Sequence, residues 1–552
     1  MSASDVKLST EAKSNPRLME LSVNQVDTGA ALVVGKTGQL SRSEATRIRR
    51  KIDRHIVPLM CLLYAIQYMD KATLGNAAVL GLLEDTHLNA DQYNWFGIQF
   101  YDSFLPLSES LRLSTIFYLG YLVFEFPQNL CLQRLPVGKW LSFNILVWAI
   151  ALCTHAACKN FAGLFVVRMI LGMSEGCITT GFMIVTSMFY TRTEQTLRVG
   201  YWFLMDGTAQ VISGFISFGT LHMKTNTLTA WQWLMIILGM LTMVTAIAFW
   251  FLFPDSPTNA WFLTPEERSS AVQRLKENQT GVENKHFKKE QYGILVFYPC
   301  PTSTQAPNPR MVEALTDIKT WLFALFSVLA NIPNSLANQR QLIILSFGFS
   351  NLNTTLLGCV PGVVAVLAVW SGTTIAARVP NSQAWVGVAY LIPNLVAVFL
   401  MLFLSWDDKV GLLVTLFFAG LGVTAFVLSL SWLSSTTAGH TKRITVNTIM
   451  LSAYCIGNAV GPLMWREKYK PRNRVPWIII GVCVVFRIMT LLAIRYLLSA
   501  ENRRRDAEPV DTVYDDVYIE QLKEDGVMEK AHVDKEFLDL TDKQNRDFRY
   551  VL

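Results

Sequence analysis

The chain has 552 residues, of which 51% are hydrophobic and 16% charged, with a mean hydropathy of +0.31 and a formal net charge of +6. Soluble domains carry about 25% charged residues, so this composition excludes an ordinary soluble globular protein. The deficit is concentrated in runs of roughly 20 apolar residues, the length that crosses hydrocarbon. The positive balance is no sign of nucleic-acid binding, because much of it (Arg47, Arg49, Arg50, Lys51, Arg54) sits just ahead of the first apolar run.

Residues 1–46 are polar, and the first apolar run is too long for a signal-peptide core, so the expectation is a cytosolic N-terminal tail over 1–50. Apolar runs then fall at 56–83, 116–134, 140–158, 162–190, 199–221 and 231–253, making a first six-helix bundle over 51–253. The first run contains Asp70 and Lys71, the second Glu125, Pro127 and Asn129, and the fourth Arg168 and Glu175. The segment 254–318 is polar and reads as a cytosolic linker. Its Thr264-Pro265-Glu266-Glu267 is a capping-box pattern with proline at the first helical position, which predicts an amphipathic helix reaching Asn278. A second set of runs at 319–345, 354–376, 384–405, 410–433, 441–464 and 477–498 makes a second bundle over 319–498. The seventh run carries Asn331, Asn334, Asn338 and Gln339 and is broken by Pro333; the eleventh carries Asn447 and Asn458. The tail, 499–552, is charge-rich and reads as a cytosolic, mostly disordered or loosely helical segment.

The fold expected is therefore an all-α membrane protein of twelve transmembrane helices in two six-helix bundles, the plan of transporters built from two repeated halves. Basic residues set its orientation. With both termini in the cytosol, Arg134, Lys139, Arg192, Arg198, Arg378, Lys442 and Arg443 all fall inside, while the first outside loop is acidic. One basic loop, around Arg466 to Arg474, falls outside against this rule. Nine cysteines, mostly within apolar runs, show no disulfide or metal spacing. The seven histidines are scattered, and no Walker pattern or nucleophile elbow is present. No catalysis, metal or cofactor is expected.

Ionisable groups inside a membrane helix cost at least a few kcal/mol and mark a path for a charged solute or a proton. Asp70 and Lys71 are sequence neighbours, so their side chains point about 100° apart and each needs a partner elsewhere. Arg168 and Glu175 are seven residues apart and share one helix face, about 10 Å apart along it. If the first and fourth spans face each other, two cations and two carboxylates meet near the bilayer midplane. Lys71 and Arg168 can then hold a carboxylate substrate. Asp70 and Glu175 can carry protons, and an anion that captures a cation favours protonation of the acid it leaves behind. Tyr68 is near enough to Asp70 to line the same site, and Asn334 and Asn447 are candidate hydrogen-bonding groups for substrate. The competing reading is a salt-bridge network that only fixes helix packing.

Several stretches resemble the major facilitator superfamily, within it the anion:cation symporter group, and most closely the fungal allantoate permease family. They are Tyr68-Met69-Asp70-Lys71-Ala72-Thr73-Leu74-Gly75-Asn76-Ala77, Glu125-Phe126-Pro127-Gln128-Asn129, Leu132-Gln133-Arg134-Leu135-Pro136-Val137-Gly138-Lys139-Trp140 and Arg168-Met169-Ile170-Leu171-Gly172-Met173-Ser174-Glu175-Gly176. Later come Phe189-Tyr190-Thr191-Arg192-Thr193-Glu194-Gln195 with Arg198, and Ala453-Tyr454-Cys455-Ile456-Gly457-Asn458 through Gly461-Pro462. The resemblance spans roughly Lys51 to Arg505 and implies proton-driven uptake of a small organic anion by alternating access. Related fungal carriers take allantoate, ureidosuccinate, nicotinate, pantothenate, biotin or small peptides. It also implies anion-binding and proton-coupling roles at Asp70, Lys71, Arg168 and Glu175, and makes Arg192, Glu194 and Arg198 the candidate gating groups. The loop after the second span lacks the acid of the superfamily's signature, so that signature's gating salt bridge is not assigned to it. Residues 98–115 and 293–311 interrupt the family pattern and read either as genuine loops or as retained intron sequence. The partners implied are a small organic anion, protons and the lipid bilayer, with no nucleic acid, for a monomer in the plasma membrane or the vacuolar membrane. The other functional classes compatible with the residues are a proton antiporter exporting a metabolite or toxin, and a nutrient sensor that binds without transporting.

Overall fold

Long apolar runs punctuated by Gly, Pro and polar turns fold as helices that cross one another in two groups. The computed structural model describes residues 19–21, 40–77, 82, 85, 112–221, 228–278, 309–349, 357–509, 517–522, 528–532 and 540–552. Helices α1 (Arg42–Ala77), α2 (Arg112–Arg134), α3 (Val137–His155), α4 (Phe161–Phe189), α5 (Arg192–Leu221) and α6 (Ala230–Leu252) make the first group. A short helix, α7 (Pro265–Arg274), and α8 (Pro309–Thr316) lie between the groups in sequence. In the second group, α9 (Ile318–Asn331) and α10 (Leu336–Ser346) are joined through a 3-10 turn at Ile332–Ser335 that holds Pro333. Then come α11 (Val360–Arg378), α12 (Gln383–Phe403), α13 (Lys409–Phe418), α14 (Val423–Ser435), α15 (His440–Val460) and α16 (Arg474–Asp506). Taking α9–α10 and α13–α14 each as one interrupted path, the described residues follow twelve long helical paths, as the apolar runs predict.

Eight of these paths are long and apolar enough by themselves to cross a membrane: α3, α4, α6, α11, α12, α13–α14, α15 and α16. The four outside that set carry buried or half-buried ionisable groups: Asp70 and Lys71 on α1, Glu125 on α2, Asp206 on α5 and Arg340 on α10. Within the first group α2 packs along α4, α3 along α6 and α4, and α1 along α5; within the second, α9 packs on α15 and α16, and α12 on α16. The groups meet where α5 lies on α11 and α2 on α15. Glycine permits the closest of these approaches. A Cβ at Gly172 of α4 would collide with the Phe117 carbonyl of α2, and Gly207 of α5 faces the Gly362 backbone of α11.

The predicted capping box is present at the start of α7. Thr264 Oγ1 accepts from the Glu267 amide at 3.3 Å, and Glu267 Oε2 accepts from the Thr264 amide at 3.1 Å. A 3-10 turn, Leu275–Asn278, carries the chain to the predicted end. Glu267 also pairs with Lys51 of α1 at 2.5 Å, which ties α7 to the start of α1.

Two differences from the sequence reading concern the polar ends. Helix α1 begins at Arg42, well before the run 56–83, and α16 continues to Asp506, past 498. Hydropathy registers only the apolar length, whereas these extensions are held by ion pairs such as Arg49–Glu194 and Arg505–Glu501. Most of the interruptions 98–115 and 293–311 lies outside the described residues; 112–115 begin α2 and 309–311 begin α8.

For the described residues of the tail, the reading as disordered or loosely helical is corrected. Strands β1 (Met19–Leu21), β2 (Val517–Leu522) and β3 (Met528–His532) form a small sheet, β1 parallel to β2 and β2 antiparallel to β3. Residues 540–552 are strapped across the ends of the second helix group. The fully buried Asp542 carboxylate lies 2.9 Å from both Lys319 Nζ and Lys442 Nζ and accepts from the Tyr550 hydroxyl at 2.7 Å. Arg505 donates to the Phe548 carbonyl at 2.8 Å, and Trp432 Nε1 to the Val551 carbonyl at 2.7 Å. Low hydrophobicity rules out a core made by the tail itself. It does not rule out docking one carboxylate onto two buried lysines, and the rings of Tyr550 and Phe548 onto Lys319, Arg505 and Arg192, of helices already folded. Burial alone would raise the Asp542 carboxyl, but Lys319, Lys442 and the Tyr550 hydroxyl outweigh it and hold it well below the ordinary carboxylate range.

The folded-state value of Asp542 is thus depressed, so its contribution to stability is complete above its unfolded value of about 4 and is lost as pH falls below that. Replacing Asp542 with Ala leaves Lys319 buried without its nearest carboxylate. The expected cost is about 3–5 kcal/mol, read as a lower melting temperature in detergent at neutral pH, with the gap to the wild type narrowing on acidification below about pH 4.

Candidate substrate and proton site

Helices α1 and α4 bring the four predicted charges together, sorted into two pairs. Lys71 Nζ lies 3.1 Å from Glu175 Oε1. Asp70 accepts a 2.7 Å hydrogen bond from Trp148 Nε1 of α3 and faces the Arg168 guanidinium electrostatically. The angular offset of neighbouring residues on α1 explains the division, since Asp70 and Lys71 cannot point at the same partner. Accessibility divides the pairs further. Arg168 is 3% exposed and Asp70 1%, whereas Lys71 keeps 23% of its side chain accessible beside a Glu175 that has none. Lys71 is therefore the member of the quartet that a solute can reach, and Arg168 is enclosed with Asp70 and Trp148.

Around Lys71 stand groups from three other helices. Asp206 of α5 and Tyr118 of α2 both act on it electrostatically, and Asp206 also acts on Tyr68 of α1. The rings of Tyr118 and Tyr121 each lie 6.1 Å from that of Tyr454 on α15, which places this cluster at the seam between the two helix groups. The sequence reading passed over Asp206, although the signal that singled out Asp70 applies to it: a lone acid inside an apolar run. It also passed over Trp148, whose indole donor is visible only once α3 is seen to pack beside α1's acid.

The second-group amides divide. Asn334 donates to Asn458 Oδ1 at 2.7 Å, and Asn458 donates to Asn331 Oδ1 at 3.1 Å, so this chain of amides joins the turn at Pro333 to α15. Asn447 is buried on α15, and its Nδ2 has no hydrogen-bond partner among the described residues. Glu125 is buried and accepts from Asn129 at 2.9 Å and Thr180 at 3.0 Å, and Asn129 also donates to Thr448 of α15 at 2.9 Å.

Arg192, Glu194 and Arg198 form one network at the face where the first turns of α1 and the C-terminal strap lie. Arg198 grips Asp53 of α1 through two hydrogen bonds, at 2.7 and 3.1 Å. Glu194 accepts from the Thr191 amide at 3.2 Å and pairs with Arg49 at 3.6 Å and Arg274 of α7 at 3.5 Å. The Arg192 amide donates to Asn278 Oδ1 at 2.8 Å, and its guanidinium lies 3.9 Å from the centre of the Phe548 ring in the C-terminal strap. At the same face the two helix groups are bridged directly by Arg443 to Ser187 at 2.9 Å, Thr196 to Ser431 at 2.8 Å and Gln383 to Thr196 at 3.2 Å. Asp53 and Arg274 lie outside the apolar runs, so the search for intramembrane charges did not reach them.

A double-mutant cycle on Asp53→Asn and Arg198→Gln tests the α1–α5 link. A two-point, charge-assisted contact predicts a coupling of about 1.5–3 kcal/mol in unfolding free energy, and a value near zero refutes it.

The Major Facilitator Superfamily model matches residues 60–462. The allantoate permease of Saccharomyces cerevisiae is 30% identical over 560 residues, covering 99% of this chain and 93% of that protein. The thiamine pathway transporter THI73 of the same yeast is 30% identical over 512 residues, covering 93% of this chain and 87% of its own. Among solved structures, the proton:xylose symporter XylE bound to 6-bromo-6-deoxy-D-glucose superposes with a TM-score of 0.60 at 12% identity, covering 81% of this chain and 96% of that one, a likeness of fold. With its helices in two packed groups and this length of match, the chain belongs to the Major Facilitator Superfamily and is a multi-pass membrane transporter rather than an enzyme.

Proposed function

We propose that this transporter imports a small organic anion together with protons by alternating access. The observation that carries the reading is the Lys71–Glu175 pair, in which an accessible cation holds a carboxylate that has no exposure at all. A carboxylate solute arriving at Lys71 competes with Glu175 for the same ammonium. Glu175, left in an apolar bundle with its countercharge engaged elsewhere, then accepts a proton, because a buried charge without a partner costs several kcal/mol. Each monoanion adds one negative charge to the cluster and one proton cancels it, so anion and proton binding reinforce each other in both directions. A second proton, carried on Asp70 or on Asp206, makes the inward step electrogenic and adds about 2.3 kcal/mol per 100 mV of membrane potential.

In this mechanism Lys71 engages the substrate carboxylate and Tyr68 lines the site. Arg168 acts through Asp70, and Glu175 is the main proton carrier. Asn447 offers its unpartnered amide nitrogen to substrate. Asn334, engaged by Asn458, contributes by holding the turn that frames the site. The face of the C-terminal strap, and with it both termini, is proposed to be cytosolic, in a plasma membrane, which the basic residues collected on that face support. The network of Arg192, Glu194 and Arg198 then belongs to the inner gate, and release to the cytosol requires the Arg443–Ser187 and Thr196–Ser431 bonds to part. The match to an allantoate permease supports carboxylates bearing nitrogen as the first substrates to try.

Glu175→Gln is expected to abolish accumulation driven by a proton gradient in proteoliposomes while sparing exchange of substrate across the membrane. Undiminished accumulation by that variant overturns the assignment. Growth or uptake in a permease-deficient yeast, across a panel of organic anions, identifies the substrate.

A further inference from the structure

A second cation stands on the other side of the seam. Arg340 lies on α10, in the second helix group, and is 8% exposed. Its Nε has no hydrogen-bond partner, and among the described residues no carboxylate pairs with its guanidinium. The group it meets electrostatically is the Tyr68 phenol of α1, on the opposite helix group and three residues from Lys71. One terminal nitrogen lies 3.8 Å from where a Cβ at Gly420 would stand.

Three other buried arginines have polar or charged partners. Arg487 of α16 donates to the Gly422 carbonyl at 2.6 Å and lies over the Phe326 ring. Arg198 holds Asp53, and Arg505 holds Glu501 and the Phe548 carbonyl. An arginine kept in an apolar bundle without a countercharge costs several kcal/mol. A ligand that supplies the countercharge recovers that energy on binding.

We propose that Arg340 is the anion-binding cation of the second helix group, and that the substrate carboxylate bridges its guanidinium on one side of Tyr68 and Lys71 on the other. This rests on the carboxylate reading of the site and deepens it. Guanidinium and carboxylate match as a two-pronged pair, which an ammonium does not reproduce. A solute held by one cation from each group also ties the groups together, so that it must enter before they rock as a unit. Arg340 thereby selects anions and excludes neutral solutes of the same shape, because these leave its charge uncompensated.

The test uses the purified full chain in detergent, with ligand-induced thermal stabilisation by allantoate, ureidosuccinate, nicotinate and pantothenate, each beside its neutral amide or ester. The wild type is expected to be stabilised by at least one anion and not by its neutral counterpart. For that anion Arg340→Gln should weaken binding roughly 10- to 100-fold, and Arg340→Lys by less than Arg340→Gln but measurably. In transport the same variants should raise KM far more than they lower kcat. If Arg340→Gln does not fold, Arg340→Lys decides: several-fold weaker binding supports the proposal. An anion that binds the wild type and Arg340→Lys or Arg340→Gln equally well overturns the role of Arg340 and leaves the carboxylate reading standing. A wild type stabilised by no anion of the panel overturns the carboxylate reading itself, and this inference with it.

Discussion

A charge placed inside an apolar helix bundle must find a countercharge or a hydrogen-bond donor, and the arrangement of this molecule follows from how each one does so. Lys71 takes Glu175, while Asp70 takes the Trp148 indole and faces Arg168. These choices fix the rotation of α1 relative to α3 and α4, which an apolar surface alone leaves undetermined, because a helix that is apolar all round packs on any face. The small residues at Gly172 and Gly207 let α4 approach α2 and α5 approach α11 closely. The helices that depart most from pure apolarity, α1, α2, α5 and α10, bring their ionisable groups toward the place where the two helix groups meet. The polar cost and the functional geometry are thus one feature seen from two sides.

The same constraint operates at the face of the C-terminal strap, with a different consequence. There the ionisable groups are many and their partners are close: Arg198 with Asp53, Glu194 with Arg49 and Arg274, Lys319 and Lys442 with Asp542. The chain's last residues supply part of this network, so the C-terminal strap is a component of the helix-end structure and not a passive appendage. It holds chiefly the second helix group and touches the first through Arg192, which lies over Phe548 and donates to the Arg549 carbonyl. A motion that separates the groups at this face has to disengage that contact along with the direct bridges from Arg443 and Thr196.

Many features of the fold were legible residue by residue. Twelve apolar runs became twelve helical paths among the described residues, and Thr264 with Glu267 closed the capping box that their spacing predicts. The quartet on α1 and α4 was legible as well, since ionisable residues in apolar runs stand out without any knowledge of packing. Asp206 and Arg340 carried the same mark and were passed over; Asp206 is the one charged residue of its run and Arg340 shares its run with Lys319 at the far end, so neither has the paired spacing that drew attention to Arg168 and Glu175. The ordered tail was not legible. Its composition reports that it lacks a core of its own and says nothing of the buried lysines waiting on α9 and α15.

By itself the sequence determined the order of the apolar helices, the class of protein, and which charges must be compensated inside the bundle, because these depend on hydrophobicity and chain order alone. Only the tertiary structure decided who compensates whom: Glu175 with Lys71 and not with Arg168 of its own helix, Asp70 with an indole from α3, Asp542 with two lysines remote along the chain, Lys442 and Lys319. Partner choice depends on helix rotation and on contacts between segments remote in sequence, and those are set by how side chains of twelve paths fit together in space.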